Sequence, residues 1–239
     1  FRRLAQDEAF RIRFLFALFL PRRHGGSFLR YPAQIAFLES RLTGRGIPVR
    51  EIRCLDAACG TGEGAYDLAG LMRKLGIPAQ SRHIHGCSIE PLEIFAAAHG
   101  YFPHDRHRER RFREMTGKLF RDGGTEGMVF FRDDIGQPPF PEEEPYDIIL
   151  CNGLLGGPFI HGEEGLSTAL AALVDRLKPG GVLLAADRFH DGWKRKTPPD
   201  LLEGLLKERG LVPLAISDGF AAEKQRPRLT FIRKESPRA

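Results

Sequence analysis

The stretch that most constrains this chain is a short apolar strand that runs into a glycine loop and out into a helix. The strand, over 52–55, ends on Asp56, and the chain continues Ala57-Ala58-Cys59-Gly60-Thr61-Gly62-Glu63 before a helix predicted over 64–75. Gly60 and Gly62 allow the backbone to turn sharply and to approach a ligand closely, and in an α/β sheet the carboxyl end of a strand opens on the crevice that receives one. The same residues fit G-x-G-x-x-A through Gly60, Gly62 and Ala65, a dinucleotide fingerprint. The loop alone therefore implies a nucleotide-bearing ligand without choosing among such ligands.

The rest of the chain supplies the sheet that such a loop needs. Apolar strands are predicted over 84–89, 128–131, 146–151, 182–186, 211–217 and 229–233, with helices over 91–99, 164–177 and 199–209. Pro91 suits the first turn of its helix. Alternation of strands with helices predicts an α/β fold, doubly wound, with a mostly parallel seven-stranded sheet covered on both faces. The last two strands have only a short polar loop between them and are expected to form an antiparallel pair at the end of the sheet. Ahead of the loop, helices over 2–20 and 32–42 form a short helical N-terminal extension, residues 1–50, and residues 51–239 form the main domain. Within it, about 100–127 reads as a polar insertion carrying Arg106, Arg108, Arg110, Arg111 and Arg113.

Composition narrows the class further. With 239 residues, 42% hydrophobic and 28% charged, the chain has the balance of a packed globular protein rather than a disordered one. Its apolar run over 14–20 is too short to span a bilayer and is expected to be a core helix. The sequence opens on Phe1 rather than Met, which leaves room for residues ahead of it, a targeting segment included. Cys54, Cys59, Cys87 and Cys151 form no C-x-x-C pair and read as reduced, buried thiols of a cytoplasmic protein. His83 and His85 share one side of a strand, and His99, His104 and His107 lie loosely together, but no carboxylate or cysteine is spaced to complete a metal site, and none is expected. No G-x-S-x-G elbow or phosphate-binding G-x-x-x-x-G-K-S/T is present, which argues against hydrolase and kinase-like chemistry.

Three further motifs occur in order: Asp133-Asp134 after the third strand, Tyr146-Asp147-Ile148-Ile149-Leu150 as the fourth, and Leu177-Lys178-Pro179-Gly180-Gly181 feeding the fifth. Together with the loop, this set resembles class I S-adenosylmethionine-dependent methyltransferases, with their Rossmann-like fold, from Ile52 onward. The first glycine of their usual D-x-G-x-G-x-G pattern is here Ala58. More narrowly, Ala58 to Ala69 resembles the A-x-x-T-G-E-E-P-Y-S-L-A loop of the CheR-type chemotaxis receptor (protein-glutamate O-) methyltransferases, with Thr61, Glu63 and Tyr66 the informative matches. Ser27-Phe28-Leu29-Arg30-Tyr31-Pro32 is similar to that family's T-x-F-F-R-D-P segment. The run from Val129 to Ile135 is similar to its V-x-F-x-x-x-N-L, and Ile149-Leu150-Cys151-Asn152 to the start of its I-F-C-R-N-V-L-I-Y-F.

What the resemblance implies is a binding site for S-adenosylmethionine, with S-adenosylhomocysteine as product. Arg30 would approach the donor and the reacting centre as the one catalytic candidate, and Ser27 would stand where a donor-contacting Thr stands. Asp56 would orient the loop or the donor's amino group, with Ala58, Gly60 and Gly62 forming the loop. Glu63 would contact the methionine end, and Asp134 and Ile135 would flank the adenine. Cys151 and Asn152 would follow the fourth strand into the site. The acid that grips the ribose hydroxyls falls, in the family register, at Ser88 or Glu90; Glu90 is the only carboxylate of the two, with Ser88 a secondary contact. Two departures bear on the acceptor: the family's Arg after Cys is Asn152, and its Tyr falls against Gly157.

The expected activity is methyl transfer to a carboxylate or other oxygen nucleophile of a protein or small molecule. If a hydroxyl or amine accepted the methyl it would need a base, for which His161 is a candidate. A catalytically weak donor-binding regulatory domain and a nicotinamide oxidoreductase remain open beside it. The net charge of +5, the run 106–113 and the cluster Lys194-Arg195-Lys196 keep an RNA methyltransferase open as well, although aromatic residues for base stacking are sparse and no N/D-P-P-Y motif follows the fourth strand. The oligomeric state is not legible in the sequence.

Overall fold

The computed structural model describes residues 1–20, 26–44, 51–139, 144–157, 160–186, 199–216 and 219–226. Seven strands form one sheet: β1 Ile52–Ala57, β2 Arg82–Ser88, β3 Met128–Arg132, β4 Tyr146–Leu150, β5 Leu177–Ala185, β6 Leu211–Leu214 and β7 Phe220–Lys224. Their spatial order is β3-β2-β1-β4-β5-β7-β6. The first five pair in parallel, and β7 pairs antiparallel with both β5 and β6. Chain order reverses between β1 and β4. A crevice at the carboxyl ends of those two strands is where a doubly wound sheet receives a ligand.

Period-two alternation divides the core between the two faces. Cys54, Ile148, Leu150, Val182 and Leu184 point to one face, while Leu55, Ile149, Leu183 and Ala185 point to the other. The first face is covered by α3 Pro32–Gly44, α4 Glu63–Lys74, α5 Pro91–His99 and α6 Arg106–Arg121; the second by α7 Gly162–Asp175 and α8 Pro199–Glu208. In α4 the apolar residues Ala65, Leu68, Ala69 and Met72 fall at i, i+3, i+4 and i+7 and are all buried, while Arg73 and Lys74 complement the dipole in the last turn. Asp56 shares its side of β1 with Cys54, so its carboxylate lies under the first turn of α4.

Two expectations change. The helix expected over 2–20 is two helices, α1 Arg2–Gln6 and α2 Glu8–Phe19, because Asp7 leaves helical geometry and caps α2 by accepting from the Phe10 N–H at 2.9 Å. Nor is α2 a core helix: of its residues only Phe16 is buried, and Phe14, Leu15, Leu18 and Phe19 are exposed. The polar insertion is largely α6, whose Phe112, Thr116 and Leu119 are buried against the α4 side of the sheet. The last described strand lies at Phe220–Lys224, inside the sheet beside β5; the expected strand over 229–233 and the Lys194-Arg195-Lys196 cluster lie outside the described residues. Among the described residues no helix is long and apolar enough to cross a membrane.

Candidate functional site

From β1 the chain enters three left-handed residues, Ala58 (φ 71°), Gly60 (φ 53°) and Gly62 (φ 88°), before α4 begins. Ala58 occupies the place of a glycine, and the conformation explains why glycine is usual there: a Cβ in this region costs roughly 1–2 kcal/mol. The loop is tied to β2 by the Cys59 N–H on the Cys87 carbonyl at 2.8 Å and closed by the Gly62 N–H on the Cys59 carbonyl at 2.9 Å. A Cβ on Gly64 would come within 2.6 Å of Asp56 Oδ2, so a bare backbone at the start of α4 leaves room for that carboxylate.

The loop forms one wall of a cavity of about 600 Å³ at the carboxyl ends of β1 and β4. The structure brings Ser27, Arg30, Asp56, Ala58, Gly60, Glu63, Ser88, Asp134, Ile135 and Asn152 to this one chamber. Gly60 has open space where a side chain would stand, so its backbone is accessible to a ligand. Gly62 and the buried Cys151 lie behind the lining, the first as the N-cap of α4 and the second under the end of β4. Of the remaining candidates, Gly157 and His161 also lie outside the lining, and His161 Nδ1 faces the Gly157 carbonyl at 3.2 Å.

Glu90 does not reach the chamber. With Pro91 as the first helical residue, Glu90 becomes the N-cap of α5 and its carboxylate accepts from the Leu92 N–H at 3.0 Å. The acid that lines the cavity beside Ser88 is Glu93, one turn further on, whose Oε2 accepts the Ser88 hydroxyl at 2.6 Å. Burial raises the Glu93 carboxyl above its usual range, against the pull of the Ser88 hydroxyl. The helical repeat after Pro91 is the signal that would have picked Glu93 out.

Across the chamber, the segment carrying Ser27 and Arg30 is pinned to α4. Leu29 turns through φ 50° and donates its N–H to Asp67 Oδ2 at 2.7 Å. Behind Arg30, Gln34 of α3 is buried and exchanges two hydrogen bonds with Asn152, of 3.0 and 2.9 Å, joining the helical extension to the end of β4. Phe19, Tyr31, Ile35, Leu154 and Ile160 complete an apolar wall on this side. The Asp133-Asp134 pair is held from behind: Arg176, fully buried after α7, donates to Asp133 Oδ2 at 3.0 Å. Neither Gln34 nor Arg176 was legible as part of a site.

Glu63 is buried and already engaged. Its Oε2 accepts the Thr61 hydroxyl at 2.7 Å, and its Oε1 meets the guanidinium of Arg108, from the insertion helix α6, at 3.0 Å. Arg108 also donates to Thr61 Oγ at 2.5 Å and lies 4.9 Å from the Phe102 ring centroid.

Asp56 and Asp67 hold their protons unusually tightly. Burial raises Asp56 to about 7, opposed by the Ala65 N–H and reinforced by Glu63 and Asp67. Burial likewise raises Asp67 to about 7, opposed by the Leu29 N–H and reinforced by Glu63. In the unfolded chain both titrate near ~4, so the native state binds these protons more tightly, and the stability they contribute is fully present below about pH 4 and lost as pH rises to about 7. Asp56→Asn, which keeps an oxygen toward the Ala65 N–H, removes one of the two groups. Its melting temperature is expected to gain on wild type as pH rises from about 4 to about 7 and then to level; a difference that does not vary with pH would rule Asp56 out as the source.

The buried thiols contribute no nucleophile. Burial pushes Cys59, Cys54 and Cys151 well above the ordinary thiol range and Cys87 up to about 12. Three of the histidines have structural partners: His85 Nδ1 lies 2.8 Å from the Tyr146 hydroxyl, His83 meets Glu51 at 3.0 Å, and His104 Nε2 lies 2.9 Å from the Leu20 carbonyl. Among the described residues no group of three or more His, Cys, Asp or Glu is placed to hold a metal ion.

No protein-family model matches the chain, and no curated protein matches it by sequence. Solved structures do match it in fold. The citrinin polyketide synthase CMeT domain superposes with a TM-score of 0.56 at 17% identity, over 81% of this chain; this chain spans only about half, 53%, of that one. Magnesium protoporphyrin IX methyltransferase from Synechocystis PCC 6803 with bound S-adenosylmethionine superposes with a TM-score of 0.53 at 14% identity, covering 92% of this chain and 98% of that one. The same protein with bound S-adenosylhomocysteine gives 0.52 at 14% identity, over 94% and 98% of the two chains. The seven-stranded sheet and its strand order are thus a Rossmann-like fold, shared with these methyltransferase structures.

Proposed function

We propose that this chain transfers a methyl group from S-adenosylmethionine to an oxygen nucleophile, a carboxylate foremost, of a protein or small molecule, with a CheR-like donor site. The observation that carries the reading is the single chamber at the β1–β4 crevice. It joins the left-handed glycine loop, the acids Asp56 and Glu63, the Ser88–Glu93 pair and Asp134-Ile135 to Arg30 on the facing wall.

The chemistry of these groups fits the donor. Gly60 offers bare backbone to it, Glu63 and Asp56 offer carboxylates to an ammonium, and Ser88 with Glu93 offers acceptors to vicinal hydroxyls. Ile89 and Ile135 present apolar surface to a purine. When bound, the donor supplies an electrophilic methyl on a sulfonium. The residues of this chain have then to align the acceptor and exclude water, and no covalent protein intermediate is required. Arg30 orients an anionic acceptor, and Phe19, Tyr31, Ile35, Leu154 and Ile160 keep water out. A carboxylate acceptor is already nucleophilic at neutral pH and asks for no base; the amides of Gln34 and Asn152 stand on the same wall as Arg30. Asn152 and Gly157 stand where the CheR family has Arg and Tyr, so the acceptor need not be a receptor glutamate.

Isothermal titration with S-adenosylhomocysteine and with NAD tests the donor, and transfer of labelled methyl into cell extract followed by mild alkali tests the acceptor. Micromolar binding of S-adenosylhomocysteine, no response to NAD and alkali-labile label are expected. A response to NAD alone would sink the reading. Tight binding of S-adenosylhomocysteine without label incorporation would move the assignment to a donor-binding regulatory domain, the role that the two substitutions favour if catalysis has been lost.

A further inference from the structure

Two cavities meet at Glu63. Behind the large chamber is a second one of about 190 Å³, which shares Gly26, Ser27 and Glu63 with the first and is otherwise lined chiefly by α6 and the residues just before it, including His107, Arg108 and Arg111. Gly26 keeps the junction thin, since a Cβ there would come within 2.5 Å of Glu63 Oε2. The pair at this junction is largely withdrawn from solvent: the Glu63 side chain is 5% exposed and that of Arg108 15%, with Thr61 Oγ bonded to each.

A buried ion pair is a poor device for stability alone, because desolvation of the two charges offsets most of their attraction. It is, however, the electrostatic complement of an α-amino acid, which carries an ammonium and a carboxylate on neighbouring atoms. A zwitterion docked on this pair adds no net charge to the buried site and gives each protein charge a second, opposite partner. We infer that the methyl donor's amino-acid end reaches past Glu63 into the second cavity, where Arg108 receives its α-carboxylate while Glu63 receives its ammonium, which makes the insertion helix α6 part of the donor site. The assignment rests on the proposed donor. It explains why a helix otherwise outside the glycine loop sends one guanidinium across to Glu63 and Thr61.

Calorimetry with three ligands separates a carboxylate partner from a merely structural arginine: S-adenosylhomocysteine, its decarboxylated analogue, and 5′-methylthioadenosine, which lacks the whole amino-acid end. In the wild-type chain, S-adenosylhomocysteine is expected to bind at least about tenfold more tightly than the decarboxylated analogue. In Arg108→Ala that preference disappears, 5′-methylthioadenosine keeps its wild-type affinity within about threefold, and Arg108→Lys recovers part of the loss. Equal wild-type affinities for S-adenosylhomocysteine and the decarboxylated analogue would overturn the assignment without recourse to any variant. So would an Arg108→Ala chain that weakens all three ligands alike. Failure of the folded wild-type chain to bind S-adenosylhomocysteine would instead remove the donor reading and this assignment with it.

Discussion

Arg176→Ala is expected to destabilise the chain by about 3–5 kcal/mol, the usual cost of removing one partner from a buried ion pair. The Arg176 side chain is completely buried and donates to Asp133 Oδ2 at 3.0 Å, to the Gln137 carbonyl at 3.0 Å and to the Ala172 carbonyl at 3.1 Å. Alanine leaves a carboxylate that is itself 10% exposed without its cation, takes the shared donor from two carbonyls and opens a cavity the size of the lost side chain. At roughly 2–4 °C per kcal/mol for a chain of this size, the melting temperature should fall by roughly 10 °C. The double variant Arg176→Met, Asp133→Asn removes both charges and should recover much of the loss; no recovery would place the cost in packing rather than in the stranded carboxylate. Because Asp133 lines the cavity beside Asp134 and Ile135, affinity for S-adenosylhomocysteine should fall in the single variant as well.

The second large effect is expected at Phe112, in a helix that the sequence presents as a charged surface. Its ring packs edge-on or tilted against Phe28, Tyr66 and Phe102 at centroid distances of 5.4, 5.3 and 5.3 Å. Phe112→Ala should cost about 3–5 kcal/mol in urea unfolding. The consequence reaches the site, because Phe28 adjoins Ser27 and the Gly26–Arg30 segment forms part of the cavity wall. That segment is expected to become the first point of cleavage in limited proteolysis of the variant. Met115, on the exposed side of the same helix, supplies the control: Met115→Ala should stay within about 0.5 kcal/mol of wild type. Equal effects at 112 and 115 would mean that α6 is not held by this aromatic cluster.

Both residues mark a limit of what the sequence discloses. The order of elements, the parallel sheet and the glycine loop were legible because the apolar runs of β1, β4 and β5 and the paired glycines are local signals. In α6 the buried stripe is only Phe112, Thr116 and Leu119, at i, i+4 and i+7, and the arginines between them outweigh it in any count of polarity. Arg176 reads as an ordinary cation at a helix end, since nothing local tells that β3 will end against it. Apolarity misled in the opposite sense at α2, where Phe14, Leu15 and Leu18 are exposed because no element of the described fold lies over them. Glu90 and Glu93 differ only in which is spent on capping, a choice fixed by Pro91. The cavity itself was partly legible: Asp56 and the Asp133-Asp134 pair stand at strand ends and Glu63 matches the resembling loop, whereas Gln34 and Glu93 reach it from helices whose docking depends on distant contacts.

The position of β7 bears on how the chain is made as well as on its final form. Since β7 lies between β5 and β6 and bonds to both, β6 is synthesised before the strand that holds it in the described sheet. Until Phe220–Lys224 leaves the ribosome, the outer side of β5, from Val182 to Ala185, is an open apolar edge of the kind that recruits foreign strands. Closure of this half of the sheet therefore waits for β7 to be synthesised. A ribosome paused just short of residue 220 would hold a nascent chain whose glycine loop and β1–β4 crevice can already assemble while its edge still invites aggregation, which makes this the interval in which a chaperone matters most.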